Sequence, residues 1–260
     1  MSQSTDMATT IDTFHRGKFQ LIQPAGRGHR SGMDAMVLAA SVPDGFAGTV
    51  ADLGAGAGAA GFAVVSRCPL AKAVLVERDP QMAKCARQSV DLEGNAHLRD
   101  RLSVLQANVE LSGHERIAAG LADRSFDYVI MNPPFNDGTN RQTPDPLKRT
   151  AHVMADGMFE AWLRTTAAIL RPGGQFSLIA RSSSLAAILA ACESRFGGLR
   201  IKPVHPDAGK AAIRIVVRGD HGSRAGVALC PPLILHEPGK TGFSDLADAL
   251  CNGRAALFGD

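Results

Sequence analysis

From Val50 onward, short apolar runs alternate with longer stretches in which apolar residues recur at helical spacing. The runs Val50–Leu53, Ala73–Val76, Leu102–Gln106, Phe126–Met131 and Gln175–Ala180 predict strands. The stretches near Ala59–Arg67, Gln81–Leu92, Met158–Leu170 and Leu185–Arg195 predict helices between or after them. Such alternation implies an α/β domain, with a mostly parallel sheet and helices on both faces. Ahead of it, Phe14–Pro24 alternates apolar and polar residues as a strand or hairpin does. Gly26–Gly32 is a turn rich in glycine and cations, and Met33–Ser41 has helical composition stopped by Pro43 and Gly45. The expected organisation is a mobile tail over 1–12, an N-terminal hairpin and helix extension over 13–48, and the main domain over 49–260.

In open sheets of this kind ligands collect beyond the carboxyl ends of the strands, so the residues just after each strand matter most. After the first predicted strand comes Asp52-Leu53-Gly54-Ala55-Gly56-Ala57-Gly58. Glycines at this spacing let the chain take positive φ and let a ligand approach bare backbone, while the helix that follows offers unpaired N–H groups. The turn has two readings. Gly56-Ala57-Gly58-Ala59-Ala60-Gly61 is a G-x-G-x-x-G dinucleotide fingerprint, with Glu77 at the offset of a ribose-binding acid. Counted from Asp52, the same residues form D-x-G-x-G-x-G, which resembles motif I of the class I S-adenosylmethionine (SAM) methyltransferases. Glu77 can accept hydrogen bonds from vicinal ribose hydroxyls under either reading. Asn108, after the third strand, can face an adenine edge or serve as a turn residue.

The fourth strand separates the two readings. Asp127–Met131 runs into Asn132-Pro133-Pro134-Phe135, where two prolines fix an extended backbone that cannot continue the ladder. An exocyclic amine on a base is a poor nucleophile because its lone pair is delocalised into the ring. Two acceptors, the Asn132 side-chain oxygen and the Pro133 carbonyl, can hold its two N–H groups and aim the lone pair at a methyl sulfonium. Phe135 supplies a face on which a flipped-out base stacks. This chemistry is mostly positioning and calls for no metal. A nicotinamide dehydrogenase would instead need a hydride-transfer acid, and the only tyrosine, Tyr128, lies inside the predicted strand.

Composition narrows the picture modestly. With 260 residues, 45% of them hydrophobic, the chain can bury one substantial core, and a formal net charge of +3 permits an anionic partner without demanding one. Cys68, Cys85, Cys192, Cys230 and Cys251 are widely spaced with no C-x-x-C pair, which points to reduced thiols in the cytosol. The N-terminus lacks the apolar core of a signal peptide, and no run is long enough to span a membrane. A cytoplasmic protein without a membrane segment is expected.

Asp52–Gly58 followed by Asn132–Phe135 resembles the class I amino-group N-methyltransferases. More narrowly, Gln23-Pro24 with Gly28–Ala35 ahead of motif I, and Phe243–Leu250 near the end, are similar to the bacterial tRNA1(Val) adenine-N6 methyltransferases, which act on the adenine 3′ of the anticodon. The resemblance implies a single Rossmann-like domain with a seven-stranded sheet. It implies that Asp52, Gly54, Gly56 and Gly58 contact SAM and that Glu77 holds its ribose. Arg30 and Asp34 would lie near the methionine end, and Asn108, which replaces the usual acid, near the adenine. Asn132, Pro133 and Phe135 would handle the target amine, with Asn132 also touching the cofactor and Pro134 the substrate. Phe135 stands where a tyrosine is common, so stacking survives without a phenol hydroxyl. RNA, above all tRNA, is the expected partner.

Residues 136–157 show few apolar positions and no clear period, and are expected to form a substrate lid in which Arg141, Lys148, Arg149 and His152 meet phosphates. Leu170–Gly174 reads as a helix stop and turn. Three alternatives share part of the pattern. A release-factor glutamine methyltransferase would need a helical domain where only about fifty residues precede motif I. An rRNA guanine-N2 enzyme usually has histidine after N-P-P-F, where Asn136 stands here. A non-catalytic RNA-binding protein would be indifferent to loss of Asn132.

Overall fold

The computed structural model describes residues 8–25, 32–134, 146–239 and 241–260, with the side chains of 146–156 left out. An antiparallel hairpin of β1 (Thr9–Phe14) and β2 (Phe19–Pro24) comes first, followed by α1 (Met33–Ala39). The next elements alternate: β3 (Thr49–Leu53), α2 (Ala59–Arg67), β4 (Lys72–Glu77), α3 (Pro80–Asp91), β5 (Leu102–Gln106), α4 (Gly113–Ala118), β6 (Phe126–Met131), α5 (Pro146–Ile169) and β7 (Leu170–Ala180). After α6 (Leu185–Cys192) come β8 (Phe196–His205), β9 (Arg214–His221), β10 (Ala228–Leu229), β11 (Leu233–Ile234) and α7 (Asp245–Cys251).

The main sheet has the order β10-β8-β9-β7-β6-β3-β4-β5, with β11 also on β8. From β5 to β7 every pairing is parallel, and β9 is antiparallel to both β7 and β8. β3 is therefore central, with β4 and β6 beside it, and the ends of these three strands form one ledge. One core cluster packs α1, α2 and the inner residues of β2 and α7 on one face; the other packs α5 and α6 on the opposite face. The fold is the expected Rossmann-like α/β domain. Its sheet has nine strands rather than seven because two-residue β10 and β11 add to the edge strand β8.

Three boundaries differ from the sequence reading. β1 begins at Thr9, inside the expected tail, because its backbone pairs with β2 from Thr9↔Pro24 onward. β2 in turn is held by Asn95, whose Oδ1 accepts from Gln20 N at 2.9 Å while its Nδ2 donates to Gln20 O at 2.7 Å. Leu170–Gly174 joins β7 instead of forming a turn: Leu170 pairs with Phe126, and an irregularity containing Gly173 at φ +75° lets the ladder resume at Tyr128↔Gln175. Finally, α5 starts at Pro146, so the helix takes in much of the expected lid, whose sparse apolar positions show no helical period. The remainder of that lid, and Phe135 and Arg141 with it, lies outside the described residues, as does Arg30.

Tyr128 is fully buried, and its hydroxyl meets Ser177 Oγ at 2.7 Å and donates to Ser41 O at 3.2 Å. Burial pushes the phenol up to about 12. The tyrosine is a packing residue, not an acid facing a ligand.

Candidate active site

The glycine turn is built by three constraints on the backbone. Gly54 and Ala55 both donate to Val76 O at the end of β4, at 2.9 and 3.0 Å, which folds the chain back across the sheet edge. Gly54, Gly56 and Gly58 all have positive φ, at +69°, +58° and +96°. Close approach adds to this: a Cβ on Gly54 would lie 2.5 Å from the indole of Trp162, and one on Gly58 would lie 2.7 Å from Leu75.

Asp52, the last polar group before the turn, is buried and accepts from Gly61 N at 2.8 Å. Burial pushes its carboxyl up to about 7 against the pull of that Gly61 N–H, with the charge of Glu77 adding to the rise. The folded-state value thus stands above the unfolded one. The contribution of Asp52 to stability is complete below about pH 4 and is lost as pH rises toward 7, because the unfolded chain then releases the proton freely while the buried acid still holds it. Asp52→Asn keeps an acceptor for Gly61 and removes this cost. Its advantage over the parent in urea unfolding is expected to grow by on the order of 2 kcal/mol between about pH 5.5 and pH 8.

Glu77 closes β4 and is also buried. Its carboxylate accepts from Gly56 N and from Asp79 N, each at 2.8 Å, which ties it directly to the glycine turn. At the end of β6, Asn132 stands beside the turn because Leu53 pairs with Met131. The side-chain oxygen of Asn132 is buried and meets no donor among the described residues. Unpaired buried acceptors of this kind are costly and mark places where a ligand completes the bonding.

A pocket of about 270 Å³ opens between the start of α1 and the turn, and Asp34, Asp52, Gly54, Gly56 and Asn132 all line it. Asp34 reaches it from the first turn of α1, where its Oδ2 accepts from Arg214 Nε at 2.7 Å. Gly58 lies just behind, ahead of α2. Pro133 is buried and Pro134 exposed next to Asn132. Asn108 is not part of this pocket; at the end of β5 its Oδ1 accepts from Glu110 N at 3.0 Å and closes its own turn. Lys148 and Arg149 fall in the first turns of α5, and their side chains are outside the described residues.

Three residues help to build this site although the sequence assigns them no role in it. Gly61 packs α2 onto β4 so tightly that a Cβ would sit 2.3 Å from Leu75, while its N–H serves Asp52. Trp162 supports Gly54 from the opposite face of the sheet. Arg214 holds Asp34. Gly61 carried a signal in the third glycine of G-x-G-x-x-G, whose task is helix–strand packing; Trp162 and Arg214 carried none. Among the described residues there is no group of three His, Cys, Asp or Glu suited to a metal, and no helix is long and apolar enough to cross a membrane. All five cysteines are free.

A glycine turn after the central strand, a buried acid after one neighbour and Asn-Pro-Pro after the other define a site of the class I methyltransferase kind. The chain belongs to the methyltransferase small domain family, whose family model matches residues 31–200. It is 26% identical over 172 residues to the tRNA1(Val) (adenine(37)-N6)-methyltransferase of Porphyromonas gingivalis, covering 65% of this chain and 64% of that protein. Among solved structures it is 46% identical to a predicted O-methyltransferase from Agrobacterium tumefaciens, with a TM-score of 0.75 over 86% of this chain and 97% of that one. The fold is shared with a Thermus thermophilus 16S rRNA N2 G1207 methyltransferase solved with AdoMet and guanosine. That protein is 21% identical, with a TM-score of 0.52 over 85% of this chain and 52% of that one. The domain is accordingly a SAM-dependent methyltransferase domain, and the dinucleotide reading of Gly56–Gly61 is set aside.

Proposed function

We propose that the protein transfers a methyl group from SAM to an exocyclic amine of an RNA base, N6 of an adenine in tRNA. The observation that carries this reading is the buried oxygen of Asn132 beside the pocket, which meets no donor among the described residues, followed by the rigid Pro133. An acceptor held in place without a donor suits an N–H group brought by substrate, and the Pro133 carbonyl supplies the second acceptor that an NH2 group needs. The residues present also fit SAM. The positive-φ glycines leave bare backbone for the cofactor, Asp34 offers a carboxylate to an ammonium, and Glu77 lies at the turn where a ribose would pass. When bound, SAM supplies an electrophilic methyl on a cationic sulfur and leaves as S-adenosylhomocysteine.

On this reading Asn132 and Pro133 orient the amine, and Phe135 and Pro134 flank the base. Arg30 and Asn108 are assigned to the two ends of the cofactor, and Arg141, Lys148 and Arg149 to phosphates. The name of the P. gingivalis relative supports tRNA adenine as the acceptor, and that of the T. thermophilus neighbour supports RNA more broadly. The test is nucleoside mass spectrometry of tRNA and rRNA after incubation with the protein and methyl-labelled SAM. Label in N6-methyladenosine from tRNA is expected. Label confined to methylguanosine from rRNA, or to a methylated oxygen, would overturn the adenine assignment.

A further inference from the structure

Arg214 opens β9, which runs antiparallel to β7 with Ala180 opposite Ile215. The start of β9 therefore lies at the edge of the sheet where β7 ends, the same edge that carries Asn132 on β6. Side chains alternate along a strand, so Arg214 shares a face with Val216, which belongs to the core cluster packed by α1. From there the guanidinium reaches the first turn of α1 and donates from Nε to Asp34 Oδ2 at 2.7 Å, across 180 positions of sequence. It is fixed further by its Nη1, which donates to Ile213 O at 2.9 Å.

Asp34 and Asp52 are the two carboxylates lining the pocket, and they are in different situations. Asp52 is spent on Gly61 N–H in the interior. Asp34 is about one-fifth exposed, and the arginine holds one of its two oxygens. A carboxylate gripped on one oxygen by a guanidinium N–H is held in a set orientation, and Asp34 lines the pocket from that fixed position. In an ion pair this far removed from water the cost of desolvation offsets much of the attraction, so the consequence of this pair is placement.

We infer that Arg214 is a positioning residue for the amino-acid end of the methyl donor: it holds the carboxylate of Asp34 in the orientation that receives the donor's α-ammonium. This rests on the assignment of the pocket to SAM. The logic is that of any binding group whose aim depends on a second layer of contacts. Arg214 itself does not touch the donor.

The test compares two ligands that differ only at that end, S-adenosylhomocysteine and 5′-methylthioadenosine, by calorimetry on the full chain. Arg214→Ala should lower affinity for S-adenosylhomocysteine by about tenfold, the worth of one charge-assisted hydrogen bond. It should leave affinity for 5′-methylthioadenosine, which has no amino-acid group, within about twofold. Arg214→Lys should recover part of the loss. In the Asp34→Ala background, Arg214→Ala should cause no further loss, as expected of a residue that acts through another. Equal weakening of both ligands would mean a general structural role and overturn the inference. So would unchanged or improved binding of S-adenosylhomocysteine, or a loss in the double variant that is the sum of the two single ones. Parent protein that binds neither ligand would overturn the pocket assignment itself, a separate result from any of these.

Discussion

Asn132→Ala is expected to lower turnover by about two to three orders of magnitude, the scale seen when one preorganised polar contact to a reacting group is removed. Binding of S-adenosylhomocysteine should stay close to the parent value, because the glycine turn, Glu77 and Asp34 are untouched. The same substitution should not destabilise the protein. The Asn132 oxygen is buried and without a donor among the described residues, so removing it gives up no internal hydrogen bond and relieves a desolvated acceptor. A variant that is inactive, binds the cofactor product and unfolds at the same or a higher temperature is the predicted combination. Calorimetry, single-turnover kinetics and thermal unfolding on one preparation check all three. An active variant would remove Asn132 from the chemistry, and an inactive one that has also lost cofactor binding would move its role from the acceptor to the pocket.

The parts of the molecule legible in the sequence are those whose needs are local. β3, β5, β6 and α2 fall within a residue of their predicted limits because each is an uninterrupted apolar run or a periodic helix. Asp52, Gly54, Gly56 and Asn132 were readable because a turn at a strand end must have positive φ, or must stop a ladder, whatever lies around it. The C-terminal strands were not. β8 and β9 carry Arg200, Lys202, Arg214 and Arg218 in mid-pattern, and these charges make sense only beside partners supplied by the fold. Arg218 bonds Asp260 at 2.9 Å and stands over the Phe258 ring, and Arg200 and Lys202 face the same ring. Trp162 and Arg214 escaped for the same reason. Their roles are defined by Gly54 and Asp34, residues far along the chain that no spacing rule connects to them.

The Gly54–Trp162 contact gives the second large effect, and a graded series can divide it into its causes. Alanine at Gly56 must adopt φ near +58°, but its Cβ would have Met82 Cε as its nearest neighbour, at an ordinary 3.6 Å. It should lose only the cost of a left-handed backbone, about 1–2 kcal/mol in urea unfolding. Alanine at Gly54 meets the same backbone cost at φ +69° and also places its Cβ 2.5 Å from the indole. Trp162 is buried in the core cluster beneath the sheet and is a rigid ring, so the turn must give way. Overpacking of this kind adds about 1–3 kcal/mol, and Gly54→Ala is expected to be the less stable of the two. Because Gly54 and Ala55 are the residues bonded to Val76 O, displacing them should also weaken S-adenosylhomocysteine binding, by about tenfold to a hundredfold if the turn's displacement costs the bound state an energy on the overpacking scale. Trimming the indole in Gly54→Ala/Trp162→Leu should restore cofactor binding relative to Gly54→Ala alone, even though Trp162→Leu opens a void and is destabilising by itself. Recovery of binding when the indole is trimmed belongs to a steric conflict at the turn. A double variant that binds no better than Gly54→Ala would show that the left-handed backbone alone sets the requirement for glycine.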